Sequence, residues 1–454
     1  MAEAENVEVV VVGAGMFGAA AAKYLSRAGA DVLVVGPGEP ERHATAGLRE
    51  FGAHFDEARI VRRLGWDRFW GTVDTRSTER LRHIEAESGT AFFQECGALA
   101  LMAQSHAGQV QTMLRESADD SDSGSGDGNR NGNGGGNGVT VERIPEADLR
   151  REFPPLGLPP LQGGVEGLLE RKGAGYVSPR RLVQAQLDLA VAAGGRLRRG
   201  SVTAVRRDES TGLWRLYVEG SGATGSTIGA EKVLVAAGSL VNQSGALPPG
   251  HALDLHAFTE PNVFFELDGT QLDRFMGLPA VVTMDPEDRG DANLSHYLLP
   301  PVRYADGTWR MKIGPGMQPI VRELRSAQEM LTWYAEQRIT PEQRDVLTEL
   351  MRLMAPGLEP VSVREACCII DKTHSHHPYI GHLDEDGTLS VAVGGNGRGA
   401  RGSDEIGRLA SRVVLGQRWD FPLPQEVVAP QRAAPLPRGA GSRPEFSVPP
   451  FGLC

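Results

Sequence analysis

The chain is short of cysteine, of positive charge and of long apolar runs, and each shortage closes off a class of function. It has four cysteines in 454 residues, Cys96, Cys367, Cys368 and Cys454. So few thiols in so long a chain do not make the disulfide framework of a small secreted domain, and a reducing, cytoplasmic setting is expected. The formal net charge is −11, from 47 Lys and Arg against 58 Asp and Glu. No bulk basic surface for nucleic acid or anionic lipid follows from that balance, so an anionic substrate needs a local basic pocket. The longest apolar run, Val9 to Ala22, is broken by Gly13, Gly15 and Gly18 and flanked by Glu3, Glu5 and Glu8. It is too short to span a bilayer and lacks the basic flank of a secretory signal. What remains is a globular composition, 40% hydrophobic and 23% charged, in a chain too long for one ordinary core.

That first run has its own internal order. Val7–Val12 is β-branched but for Glu8, as in a buried parallel strand. Gly13-Ala14-Gly15-Met16-Phe17-Gly18 follows, then an Ala-rich helix through Arg27, closed by Gly29, and a second strand at Asp31–Val35. A glycine loop at the strand-to-helix turn of such a unit lets the backbone approach a diphosphate, and the helix N-terminus offers free N–H groups to it. The unliganded alternative is a tight turn and nothing more. The second strand should end in an acidic residue for the ribose hydroxyls, but Gly36 stands there, leaving Glu39 as the nearest carboxylate.

Further along, Leu48–Arg63 reads as a loop entering a helix, and an amphipathic helix covers Asp67–Glu87. Ser117–Gly138 is almost wholly Ser, Asp, Asn and Gly and is expected to be a disordered surface loop. Ser178-Pro179 caps a helix to Ala193; strands follow at Val202–Arg206, Leu213–Val218 and Lys232–Ala236, the last running into Ala237-Gly238. Strand-like pieces fill Pro261–Gly316, and helices fill Glu323–Met354. The chain returns to α/β with a strand at Leu389–Val393, a glycine-rich loop at Gly394–Gly402 and a helix from Ser403 to Leu415. The expected organisation is α/β, two domains woven from one chain. Residues 1–90, 173–250 and 363–416 form a nucleotide-binding domain; 91–172 and 251–362 form a mainly β substrate domain, with 117–138 as its loop. The tail, 417–454, is rich in proline and arginine and is expected to wrap the surface or fray.

Five segments in this order resemble the sarcosine oxidase and D-amino-acid oxidase group of flavoproteins, the monomeric sarcosine oxidase branch above all. They are the first glycine loop, EARIVR at Glu57–Arg62, HYLLP and MKIG within His296–Gly314, CCIIDKT at Cys367–Thr373, and GGNGRGARGSDEIG at Gly394–Gly407. The resemblance implies an FAD-binding, Rossmann-like three-layer ββα domain interwoven with a mainly antiparallel substrate sheet. It implies oxidation of a primary or secondary amino acid, hydride transfer to flavin N5, imine hydrolysis and reoxidation by O2. It places Gly13, Ala14, Gly15, Met16, Phe17, Gly18, His54, Val202, Ala237 and Gly238 along the cofactor, while the ribose is left to Glu39 or to backbone and solvent in its stead. Gly395, Gly397, Arg398, Gly399 and Arg401 fall near the flavin ring, where a helix dipole favours the anionic reduced form.

The same resemblance gives individual roles. Arg59 would lie near the flavin, and Arg62 with Arg401 would clamp the substrate carboxylate; if EARIVR is helical, Arg59 and Arg62 share one face. The plain alternatives are a solvated basic turn and a loop arginine paired with Asp404. Lys312 would stabilise developing superoxide, and Tyr297 matches an active-site tyrosine, although a tyrosine beside a sheet is as often core. Cys368 aligns with a cysteine that carries the flavin as a thioether, and Cys367, its neighbour on a strand, faces the other way. Gly316 stands where the family has an active-site histidine, so the pocket wall departs from that of sarcosine-specific members. The run His374-Ser375-His376-His377 has no cysteine or carboxylate at a spacing that completes a metal site. The rival functions are a dehydrogenase passing electrons to a quinone or carrier protein, a non-catalytic flavin-binding subunit, and a nicotinamide-dependent enzyme. Partners are a small amine and O2, in a monomer or small homo-oligomer.

Overall fold

The computed structural model describes residues 5–39, 52–64, 67–108, 134–135, 139–220, 223–285, 293–316 and 318–433. Most of the 117–138 segment and residues 434–454 of the tail lie outside the described residues. Among the described residues no helix is long and apolar enough to cross a membrane.

Two large sheets organise the molecule. The first begins with β1 (Glu5–Val12), α1 (Met16–Arg27) and β2 (Val32–Gly36), with β1 and β2 parallel as their β-branched, doubly buried sequences require. Strand Arg196–Arg199 extends it beyond β2, and the long strand Ala223–Val235 pairs in parallel with β1 on the other side. Leu389–Val393 adds to the end of that long strand, while Trp214–Gly220 and Ser201–Arg207 fold back on it as an antiparallel ribbon. Helices cover one face: α1, α2 (Arg68–Ser88), α3 (Pro179–Ala192) and α4 (Gly399–Val414). The opposite face packs Val10, Val12, Val202, Leu216 and Val233 under the ribbon, which makes the three layers.

Among the described residues the second sheet has nine strands and is mainly antiparallel. Its spine is β4 (Leu255–Leu267), β5 (His296–Arg303), β6 (Trp309–Pro315) and β7 (Ser362–Thr373). β7, expected from residue 363 onward with the nucleotide domain, instead pairs with β4 along its whole length, from Leu255↔Thr373 to Glu266↔Ser362. The reason is compositional: Cys367, Ile369 and Phe265 join one core on this sheet with Met311 and Ile313.

Local departures have simple causes. Residues Arg59–Val61 form β3, a short strand paired with Gly175–Val177, because β-branched Ile60 and Val61 take a ladder rather than a helix. The helix expected from Glu323 starts at Ala327, capped by Ser326, and Glu323–Leu324 pairs with β4 instead. α4 begins at Gly399, one turn earlier than the expected Ser403, so the end of the glycine loop is itself helical. Within the tail, Phe421 and Val428 are buried in the α1–α4 core, with Trp419 packed against it, so this part is anchored by apolar contacts.

Candidate active site

The two glycine loops meet at one cavity of about 1150 Å³ between the sheets. Gly13 takes φ +113° and donates to the Val35 carbonyl at 2.7 Å, which turns the chain sharply out of β1. Gly18 serves packing: a Cβ there would meet the Gly13 carbonyl oxygen at 1.9 Å. It is not among the cavity-lining residues, whereas Gly13 through Phe17 are. α1 has no side-chain cap and no acidic residue in its first turn, so its free N–H groups face the cavity. α4 likewise has no side-chain cap, and Gly395, Gly397, Arg398, Gly399 and Arg401 line the cavity near Phe17. Asn396 holds that loop, with its Oδ1 accepting from the Thr373 N–H at 3.0 Å and its Nδ2 donating to the Gly394 carbonyl at 2.7 Å.

At the far end, Gly36 cannot carry a side chain, since a Cβ would meet Ala14 N at 2.5 Å and Ala14 Cβ at 2.6 Å. Glu39 lies outside the lining and both its oxygens accept from Arg180, which also binds Glu57. The cavity wall there is Ala237 and Gly238 with Gly200 and the start of the Ser201–Arg207 strand, Val202 included, and His54 is kept neutral by burial, which lowers its pKa to about 3.

The charged end is built from β3, β4, β5, β6, β7 and the N-terminal turn of α4. The Lys312 side chain, 1% exposed, donates to Asp56 Oδ2 at 2.7 Å and to the Ala58 carbonyl at 3.0 Å. Burial, with Arg59 nearby, lowers its pKa to about 8 against the pull of Asp56. Arg59 donates to the same Asp56 carboxylate and to the Ala53 and Ala58 carbonyls at 3.0 Å each, and lies 3.6 Å from Cys368 Sγ. Burial pushes the Cys368 thiol pKa up while Arg59 pulls it down; Cys367 faces the core instead. The Tyr297 hydroxyl donates to Asn262 Oδ1. Arg59 and Arg62 both line the cavity although they share no helix face, because Arg62 lies just past the end of β3.

Arg62 and Arg401 are both buried, and Arg401 is paired with Asp74, not with Asp404. Arg401 Nε lies 2.6 Å from Asp74 Oδ2, on the buried face of α2. Asp404 is taken by Lys23 and Arg80, each at 2.6 Å. Burial raises the Asp74 carboxyl to about 7, opposed by Arg401 and Arg62.

Four polar residues of the site were not legible as such. Asp56 reads in the sequence only as a counter-charge, and Asn262 and Glu260 sit in the apolar run of β4. Burial pushes Glu260 up to about 8 against the pull of Tyr297 and Lys372, and it lies opposite Cys368 in the ladder. A carboxylate on the buried face of α2, four residues after Trp70, was the available sign for Asp74.

A family model described as FAD dependent oxidoreductase (DAO) matches residues 8–413. Monomeric sarcosine oxidase of Bacillus sp. (strain B-0618) is 22% identical over 416 residues, covering 90% of this chain and 92% of that protein. N-methyl-L-tryptophan oxidase of Yersinia pestis (strain Pestoides F) is 24% identical over 410 residues, 89% of this chain and 94% of the relative. The structure of NikD, described as an unusual amino acid oxidase essential for nikkomycin biosynthesis, superposes with a TM-score of 0.69 at 19% identity, covering 95% and 98% of the two chains.

Proposed function

The chain belongs to the DAO family of FAD-dependent oxidoreductases, and from that premise we propose that it is an oxidase of amino acids, primary or N-substituted, that carry a free carboxylate. The observation that carries this reading is that buried Arg62 and Arg401 both line the cavity that the uncapped N-termini of α1 and α4 enter.

FAD fits the residues present. The cavity exceeds the about 300–1,000 Å³ of a site for one drug-sized ligand, leaving room for a dinucleotide and a small substrate. Gly13–Phe17 would hold the diphosphate, Val202 the adenine end, and Gly395–Gly399 the flavin ring. Held there, FAD would supply a two-electron acceptor for the hydride on the substrate carbon beside nitrogen, with O2 as the final oxidant giving hydrogen peroxide and water hydrolysing the imine product.

The protein's own part is binding and electrostatics. Guanidinium forks on Arg62 and Arg401 hold the substrate carboxylate and so set the reacting C–H and nitrogen. Lys312, charged below about pH 8, supplies a fixed cation where superoxide develops, and Asp56 keeps it in place beside Arg59. A neutral substrate amine needs no protein base. Gly316 is closed by backbone, since a Cβ there would meet the Ser295 carbonyl carbon at 2.3 Å, so a histidine has no place on that wall.

A dehydrogenase reading has one observation in its favour: Lys312 is already ion-paired with Asp56, which cancels part of its charge. An anaerobic screen of amino acids and N-alkyl amino acids, read by bleaching of the flavin and followed by mixing with air, tests both. Bleaching with fast reoxidation that slows in Lys312→Met supports the oxidase. Slow reoxidation unaffected by that change assigns the electrons to a quinone or carrier, and no bleaching by any amine removes the activity altogether.

A further inference from the structure

The histidines after β7 stand apart from the cavity lining, and folding gives one of them partners that sequence spacing hides. β4 and β7 pair antiparallel with Leu255 opposite Thr373 and His256 opposite Lys372, so the start of β4 meets the end of β7. Asp254 Oδ2 comes within 3.1 Å of His374 Nε2, and Asp254 Oδ1 within 3.2 Å of His256 Nε2. The three ligand atoms lie within 4.8 Å of one another. A tetrahedron around zinc with bonds of about 2.0–2.2 Å has edges of roughly 3.3–3.6 Å, so each imidazole already stands at about that distance from one oxygen of the Asp254 carboxylate.

The buried His256 is also oriented from behind. Its Nδ1 lies 2.7 Å from Glu323 Oε1, and Arg325 holds the other Glu323 oxygen at 2.9 Å. A carboxylate accepting from Nδ1–H places the lone pair on Nε2, the usual arrangement behind a metal-bound imidazole. That lone pair then faces the Asp254 carboxylate, and two acceptors at 3.2 Å repel unless a proton or a cation lies between them. Asp254 is fixed through its backbone, donating to Gln431 O at 2.9 Å and accepting from the Tyr379 hydroxyl at 3.0 Å. His374 is 45% exposed, which opens a fourth position to water.

We propose that Asp254, His256 and His374 bind a divalent transition-metal cation, zinc foremost, with Glu323 orienting His256. Two imidazoles and one carboxylate suit zinc rather than calcium or magnesium, which take oxygen ligands. The ion ties the start of β4 to the loop after β7. That loop reaches α2, where Trp70 Nε1 donates to the His376 carbonyl at 2.8 Å, and the second glycine loop through Thr373 and Asn396. The site is independent of the oxidase reading and adds a structural clip at one end of the second sheet, where the start of β4 meets the loop after β7.

The test uses untagged, full-length, FAD-loaded protein stripped with EDTA, titrated with zinc in a calorimeter and assayed for bound metal after gel filtration. One zinc per chain is expected. His374→Ala and Asp254→Asn should each weaken binding at least tenfold, Glu323→Gln about 10–100-fold, and His83→Ala, on the outer face of α2, should have no effect. The half-exposed ring of His374 makes its loss compatible with folding, checked by an unchanged flavin spectrum. Absence of saturable zinc binding would mean that a proton occupies the His256–Asp254 gap, and would overturn the proposal. So would tight binding that survives both His374→Ala and Asp254→Asn.

Discussion

Replacing Asp74 by Asn should tighten carboxylate binding and remove its pH dependence near neutrality. Asp74 is fully buried and shares the Arg401 guanidinium, with Nε and Oδ2 2.6 Å apart. Its carboxyl titrates at about 7, raised by burial, so it is neutral below that pH and an anion above it. An anionic Asp74 and a substrate carboxylate on the other edge of the guanidinium would stand roughly 6 Å apart, a repulsion of about 3 kcal/mol at an effective dielectric of 20. At about 1.4 kcal/mol per tenfold, the limiting effect approaches a hundredfold in Kd. In the wild type, affinity for a simple carboxylate lacking an amine should therefore fall as pH rises through 7, followed anaerobically by flavin absorbance from pH 5.5 to 8.5. In Asp74→Asn it should stay flat and tight; an amine-free ligand keeps its own titration out of the window. The sign for stability is the same: a carboxyl whose pKa is raised on folding costs stability as pH climbs from its ordinary value to about 7, so the variant should gain most above 7. A wild-type Kd that is level through pH 7 and matches Asp74→Asn would refute the coupling of Asp74 to the clamp.

The legible part of the molecule is the part made by local pattern. The β-branched run of β1, the glycine loop and the alanine-rich α1 form one unit whose period and turn residues agree, and such agreement survives folding. Ser178-Pro179 starts α3 where capping chemistry puts it. Long-range pairing was not legible. β7 follows a helical stretch and precedes an α/β one, and nothing local says that its Cys367 and Ile369 complete the core of the second sheet. The site divides in the same way. Cavity-lining cations such as Arg62, Arg401 and Lys312 lie in recognisable motifs, whereas their carboxylate partners come from other segments: Asp74 of α2 for Arg401, and Asp56 for Lys312. A pair made across hundreds of residues leaves no spacing to read. Its only trace is a charged residue inside an apolar pattern.

Several further changes test these pairings. Arg62→Ala should raise KM for carboxylate substrates by an amount equivalent to about 2–4 kcal/mol with a smaller effect on amines lacking a carboxylate, checked by steady-state kinetics. Because Lys312 loses its proton at about pH 8, flavin reoxidation by O2 should slow as pH rises through 8 in the wild type and be level in Lys312→Met. Lys312→Met should also cost about 1.5–3 kcal/mol of stability in urea unfolding, recovered in part by adding Asp56→Asn, since Asp56 then has no missing cation. If Cys368 carries the flavin, acid precipitation should leave the yellow colour in the pellet for wild type and release it in Cys368→Ser. The last prediction concerns Gly36. Relatives of this fold place a ribose-binding carboxylate at the end of the second strand, so Gly36→Glu looks like a gain for FAD binding. The structure says otherwise: any Cβ at 36 meets Ala14 N at 2.5 Å, and the loop that must yield is the one that grips the diphosphate. Both Gly36→Ala and Gly36→Glu should weaken FAD binding and lose about 1–3 kcal/mol of stability, the usual cost of overpacking, measured by flavin fluorescence and urea midpoints. Tighter FAD binding by the Glu variant than by the Ala variant and the wild type would show that the Ala14 loop gives way freely, and that close packing is not why this chain has glycine there.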